Sequence, residues 1–144
     1  MPYAFELALD PASAAVVRRA WQELADAGIG YVATSGARPH VTLGIWDGLD
    51  HERAEAELAR FAAETSSVQL TFASVGLFPG VEHYRPGAWV PHCTLATDLE
   101  PHRFGDALAI AARAPMPLES RLVEVDIVEF RPVKQLVSCA LGGR

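Results

Sequence analysis

A six-residue unit occurs twice in the chain. Residues 39–44 read PHVTLG and residues 91–96 read PHCTLA, with Pro, His, Thr and Leu in common. The sequence contains only five histidines, and two of them occupy this frame. In a strand, residues two apart project to the same face. His40 and Thr42 therefore share one side, as do His92 and Thr94. Val41, Leu43, Cys93 and Leu95 take the opposite, core-facing side. Each unit offers one titratable ring and one hydroxyl, with apolar packing behind them.

The repeat continues past these residues. DGLDHER follows the first unit and TDLEPHR the second. A helix with Leu-Ala in register comes next in each case, at Leu58-Ala59 and Leu108-Ala109. The shared order of strand, acidic turn and helix points to two pseudo-symmetric halves.

The rest of the chain reads as mixed strands and helices. YAFELAL at 3–9 alternates around Phe5, Leu7 and Leu9, which suits a strand with one buried face. Asp10-Pro11 is a helix start, with Asp as cap and Pro in the first turn. Val17, Ala20, Trp21 and Leu24 follow at helical spacing, and Gly28 is the expected stop. A short strand is expected at 29–32, a strand over HVTLGIW, and a helix from Asp50 to Glu64. Val68–Leu77 reads as a strand running into FPG, a turn signal, and residues 81–88 as a polar loop. WVPHCTLA is a further expected strand and Pro101–Ala114 a helix. Leu122–Phe130 and Lys134–Leu141 are two β-rich runs. Several connections are too short for crossovers, so hairpins and an α+β fold with antiparallel sheet are expected.

Length and composition fit one globular domain over residues 1–144. Half the residues are hydrophobic and 21% are charged, a balance unlike that of disordered or fibrous chains. No run reaches the ~18 apolar residues of a membrane span. MPYAFELALD has no basic segment leading into an apolar run, so no signal peptide is expected. Cys93 and Cys139 have no metal or redox spacing and read as reduced, buried side chains of a cytoplasmic protein. The net charge of −6 disfavours extended nucleic acid, which is held by neutralising many phosphates. A small phosphate ester or an RNA end needs only one or two Arg.

The chemistry open to two facing His-x-Thr strands is phosphoryl chemistry by paired imidazoles. A neutral histidine can take a proton from an attacking water or hydroxyl, and a protonated one can give a proton to the leaving oxygen. Thr42 and Thr94 can donate to the non-bridging oxygens. The arrangement calls for no metal and no cofactor. A single His-x-Thr in a strand is commonplace and structural. Duplication accounts for matching Pro and Leu on packing grounds, but less well for a polar pair on one face of both strands.

The two units resemble the His-x-Thr signatures of the two-histidine (2H) phosphoesterases. That superfamily includes proteins named 2′-5′ RNA ligases and cyclic nucleotide phosphodiesterases. GLFPG at 76–80, YRPGAWVPHCTLA at 84–96 and VEFRPVKQL at 128–136 are similar to a bacterial branch of the group, so the likeness covers most of the chain. It departs in one section, where relatives would carry another strand and helix: only Val81, Glu82 and His83 lie between Gly80 and Tyr84. The resemblance implies a bilobal pseudo-symmetric α+β fold with antiparallel sheets around a central cleft, the second lobe shortened. It implies hydrolysis of 2′,3′-cyclic or 2′-5′ phosphodiester bonds of a nucleotide or RNA end, with His92 as base, His40 as acid, and Thr42 and Thr94 on the phosphate. The short section motivates the alternative of a nucleotide- or RNA-end-binding protein with a catalytically weak cleft. A monomer or weak homo-oligomer is expected, with no membrane association.

Arg38 and Arg85 are candidate phosphate partners and Tyr84 a candidate stacking residue for a base. Trp89 suits packing at least as well as stacking, and Arg131 suits a turn. His51 and His102 sit near helix starts and read as exposed, while His83 neighbours Tyr84.

Overall fold

The alternation of YAFELAL is realised as β1 (Tyr3–Leu9), an inner strand of a five-stranded antiparallel sheet. The structure, a computed structural model, describes residues 2–78 and 87–143. The remaining elements are α1 (Pro11–Asp26), α2 (Tyr31–Thr34), β2 (His40–Trp46), α3 (His51–Glu64), β3 (Val68–Phe72), α4 (Phe104–Ala111), β4 (Leu118–Glu129) and β5 (Lys134–Ala140). The sheet runs β2-β1-β4-β3, and β5 also pairs with β4. The chain is therefore α+β, with four α-helices and every strand pair antiparallel among the described residues.

The two faces of the sheet differ. Leu7 and Leu9 of β1, Val41 of β2, and Val125 and Ile127 of β4 join Val17 and Trp21 of α1 and Leu58 of α3 in one buried cluster. Helices α1 and α3 thus cover this face. The opposite parity carries Glu6, Thr42 and Asp126, all buried. Strand parity alone produces this split.

Asp10 joins α1 to the sheet. Its carboxylate accepts from the backbone of Ala12 and Ser13 at 3.0 Å, capping the helix, and from the backbone N–H of Arg121 at 2.8 Å. Burial opposes ionisation, but the amides of Arg121 and Ser13 and the hydroxyls of Ser13 and Ser120 outweigh it. They hold the carboxyl at about 2. Gly28 takes the left-handed conformation (φ +83°) just past α1, the position where glycine ends a helix without strain.

Several local expectations are corrected. Residues 31–34 form the short helix α2 in place of a strand, with Thr34 Oγ1 donating to Gly30 O at 3.1 Å. Strand β3 stops at Phe72, and the helix expected from 101 to 114 divides into a 3-10 turn, Pro101–Arg103, and α4. Leu43 is not in the core: it is 37% exposed. The register of β1 on β2 shifts between Phe5–Gly44 and Glu6–Thr42, so Leu43 is the extra residue of a β-bulge and loses its inward direction. The second unit forms no strand: residues 90–96 are irregular. No neighbouring described strand pairs with them, and Pro91 has no N–H to offer a ladder. Parity nonetheless holds for Cys93 and Leu95, which pack against the core that contains Val41.

Asp10→Ala is expected to cost roughly 1–2 kcal/mol, the range for a lost helix cap. Urea unfolding at neutral pH checks this, with a lower midpoint and an unchanged slope. The Asp10 contribution is present above the ordinary carboxyl value near 3.8 and fades as pH falls through about 2. The gap between variant and wild type should therefore narrow in acid.

Candidate functional site

His40 opens β2, and the register places it opposite Ala8, with Thr42 opposite Glu6. Glu6 in turn stands opposite Asp126, and Asp126 opposite Ser138. Thr42, Glu6, Asp126 and Ser138 therefore form one polar row across four strands. Arg38, two residues before His40, lies against this row. Its Nη1 donates to Glu124 Oε2 at 2.7 Å, and its Nη2 to Asp126 Oδ2 and to Ser138 Oγ, the latter at 3.4 Å. Arg38 Nε and Asp126 Oδ1 are buried without a hydrogen-bond partner among the described residues. The guanidinium expected to clamp phosphate is thus engaged by two carboxylates.

The two histidines share a local geometry. His40 Nδ1 lies 2.6 Å from Arg38 O, and His92 Nδ1 lies 2.7 Å from Val90 O. A carbonyl oxygen can only accept, so each Nδ1 carries the hydrogen. In the neutral ring this leaves Nε2 as the proton acceptor. His92 also packs its ring against Phe78, centroids 4.8 Å apart. His40 Nε2 contacts Glu6 Oε1 at 3.2 Å. Burial pushes the His40 pKa below its usual value, and positive charge on nearby His92 acts in the same direction. The two rings are therefore within electrostatic reach of each other.

The second unit docks on the outer edge of β2. Leu9 N donates to Pro39 O at 3.1 Å. Bonded and non-bonded pairs alternate along an antiparallel ladder, so His40 and Thr42 turn their own peptide groups outward. The second unit and the residue Trp89 before it meet this edge: Trp89 Nε1 donates to Thr42 O at 3.1 Å, and the His40 N–H donates to the Cys93 thiol. On the far side, Trp21 Nε1 donates to Thr94 O at 2.9 Å. One indole thus binds the threonine carbonyl of each unit. Burial pushes the Cys93 thiol up to about 12, so it stays protonated, and both cysteines are free.

The other sequence candidates scatter. Tyr84, Arg85 and His83 lie outside the described residues. Arg131 pairs with Asp98 at 2.9 Å and lies 5.3 Å over the Tyr31 ring, beside a cavity of about 330 Å³ bounded by Tyr31, Ala96, Asp98 and Arg103 among others. His51 meets Tyr3 edge-on, and exposed His102 faces Glu100 at 3.3 Å. Motif and spacing do not single out Glu6 and Asp126 in the sequence. Their signal is nonetheless present in the alternation of FELAL and VEVDIVE, where each acid sits out of phase with the apolar residues.

Glu6 is the most perturbed carboxyl of the site. Burial, followed by the negative charge of Asp126, raises it to about 8, while Arg38 opposes the shift. No protein-family model matches the chain, and no curated protein matches it in sequence.

Two outcomes are expected. Trp89→Phe removes only the N–H that reaches Thr42 O and should cost about 0.5–1.5 kcal/mol, the net value of such a bond, in urea unfolding. The second concerns pH. The folded pKa of Glu6 is raised, so its stabilising contribution is complete below the ordinary value of 4.5 and is lost as pH rises through about 8. His40 is shifted down, so its contribution is present above 6.5 and declines in acid. Glu6→Gln should therefore gain stability relative to wild type as pH is raised from about 5 to 9, read from denaturation midpoints at each pH.

Proposed function

We propose that the chain is a metal-independent phosphodiesterase of the two-histidine type, acting on a 2′,3′-cyclic or 2′-5′ phosphodiester of a nucleotide or RNA end. The observation that carries this reading is the matched pair of imidazoles. Both fix their Nδ1 hydrogen on the carbonyl two residues earlier, and each comes within electrostatic reach of the other. Matched tautomers leave Nε2 of each ring as the atom for proton transfer. His92 removes the proton of the attacking water or hydroxyl. His40 supplies a proton to the leaving oxygen. Thr42 and Thr94 stabilise the phosphate oxygens by hydrogen bonding.

The bilobal, pseudo-symmetric arrangement belongs to the same proposal. It is supported by the recurrence of a helix after each unit, α3 and α4, and by the indole bond to each threonine carbonyl. A net charge of −6 fits a small substrate better than an extended polyanion.

A second reading is favoured by one contact. His40 Nε2 faces Glu6 at 3.2 Å, which suits a cleft that binds a nucleotide or RNA end while turning it over slowly. Calorimetric binding of a nucleotide, with no product by chromatography after long incubation, separates this reading from the enzyme.

Wild type is expected to hydrolyse a 2′,3′-cyclic nucleotide with a bell-shaped pH profile. His40→Ala and His92→Ala should each lower kcat/KM by roughly 10²–10⁴-fold, the usual contribution of a general acid or base. Undiminished turnover by the double variant would sink the proposal.

A further inference from the structure

His40 is the acid of the proposed reaction, yet the structure keeps its ring in surroundings that disfavour an imidazolium. The ring is largely shielded at the head of β2, its side chain 17% exposed, and its Nδ1 hydrogen is committed to Arg38 O. Its Nε2 is 3.2 Å from Glu6 Oε1. A neutral imidazole with Nδ1 protonated can only accept at Nε2. The partner that fits is a carboxyl bearing its own hydrogen. The converse state, imidazolium against carboxylate, holds the same number of protons. The pair is thus one proton-holding unit whichever side carries the hydrogen.

The surroundings explain why Glu6 retains a proton. Asp126 of β4 stands directly opposite it, and like charges opposed across a ladder repel. Arg38 directs both Nη atoms to Glu124 and Asp126. From the second unit, His92 acts electrostatically on His40, and the protonated Cys93 lies within electrostatic reach of Glu6. Glu6 is 7% exposed, so water does little to stabilise its charge.

We propose that Glu6 is the positioning residue that stores the proton for His40, so that the two side chains act as one acid unit in the reaction. The kinetic part of this inference rests on the phosphodiesterase reading; the shared proton does not. In the acid step the Glu6 O–H bond breaks as N–H forms at His40 Nε2. That proton then passes to the leaving oxygen as the P–O bond breaks, and the bonding electron pair goes to the oxygen. Glu6 is left as carboxylate and His40 neutral. His92 releases to solvent the proton it took from the nucleophile, and solvent reprotonates Glu6.

The test is nitrogen NMR of histidine-labelled, ligand-free protein, followed by kinetics, on wild type, Glu6→Gln and Glu6→Asp. In wild type, the His40 Nε2 resonance should show a titration step on the alkaline side of neutrality. Glu6→Gln can still donate a hydrogen bond but has no proton to lose, so the step should vanish. Glu6→Asp should restore a step. A wild-type His40 resonance without an alkaline step, or one unchanged in Glu6→Gln, overturns the inference. This holds even if a variant folds poorly, because the wild-type spectrum alone can exclude it. In 2′,3′-cyclic nucleotide hydrolysis, Glu6→Gln should lower kcat by roughly tenfold or more with KM little changed, and should move the alkaline limb to lower pH. A purely structural Glu6 would leave the pH profile in place, and that result also overturns the inference. Absence of turnover in wild type, with the alkaline step present and lost in Glu6→Gln, removes the phosphodiesterase reading and leaves the Glu6–His40 unit standing.

Discussion

The pairing of Glu6 with Asp126 across β1 and β4 sets the terms for everything around it. Two carboxyls stand opposite each other in an interior position, one 7% and the other 1% exposed. Both cannot ionise there without a counter-charge. Arg38 supplies that charge to Asp126 and also bonds Glu124. Glu6 is left to resolve its position by holding a proton. A protonated carboxyl is a donor, and the acceptor beside it is His40 Nε2. The protonation state of the candidate catalytic ring is in this way tied to a cross-strand register.

That register depends on a bulge. The shift between Phe5–Gly44 and Glu6–Thr42 brings Thr42 directly beside Glu6 and releases Leu43 to solvent. Bulges re-aim side chains in this manner, at the expense of one residue's pairing. Beyond the bulge, β2 is an edge strand with outward-facing peptide groups, an arrangement that invites unwanted pairing. Here the edge is met by side chains of the second unit, the Trp89 indole and the Cys93 thiol. The same contacts that bring His92 near His40 also cover the edge of the sheet.

Much of the fold was legible because it follows from periodicity. The alternation of Phe5, Leu7 and Leu9, the cap at Asp10 and the stop at Gly28 are local signals, and the structure uses each one. The His40–Thr42 parity was legible for the same reason. What local signals lack is knowledge of neighbours. WVPHCTLA has the composition of a strand, but a strand requires a backbone ladder, and none of the described strands pairs with it. The bulge at Leu43 belongs to the pairing of two strands and is invisible in either one alone. Arg38 reads as a free cation in sequence; only the fold brings Glu124 and Asp126, from the far end of the chain, to its guanidinium. Glu6 carries no signal of its own in apolar periodicity, which is set by the residues on either side of it.

An acidic row is at first sight a poor bed for a phosphodiester. Glu124 and Asp126 together carry more negative charge than Arg38 offsets, and an ionised Glu6 would add to the repulsion. A protonated Glu6 removes its own share. An approaching anion then acts on the pair unequally. It stabilises positive charge on the His40 ring, which lies nearer the outer edge of the sheet, more than it penalises the carboxylate on β1 behind it. In the proposed reaction, a bound phosphodiester would draw the proton from Glu6 toward Nε2, and burial would favour its return to Glu6 once the phosphodiester has left. Burial that makes His40 a weak base in the resting protein is thereby compatible with the acid role proposed for it. On that proposal, the imidazolium forms only where a phosphate is at hand to stabilise it.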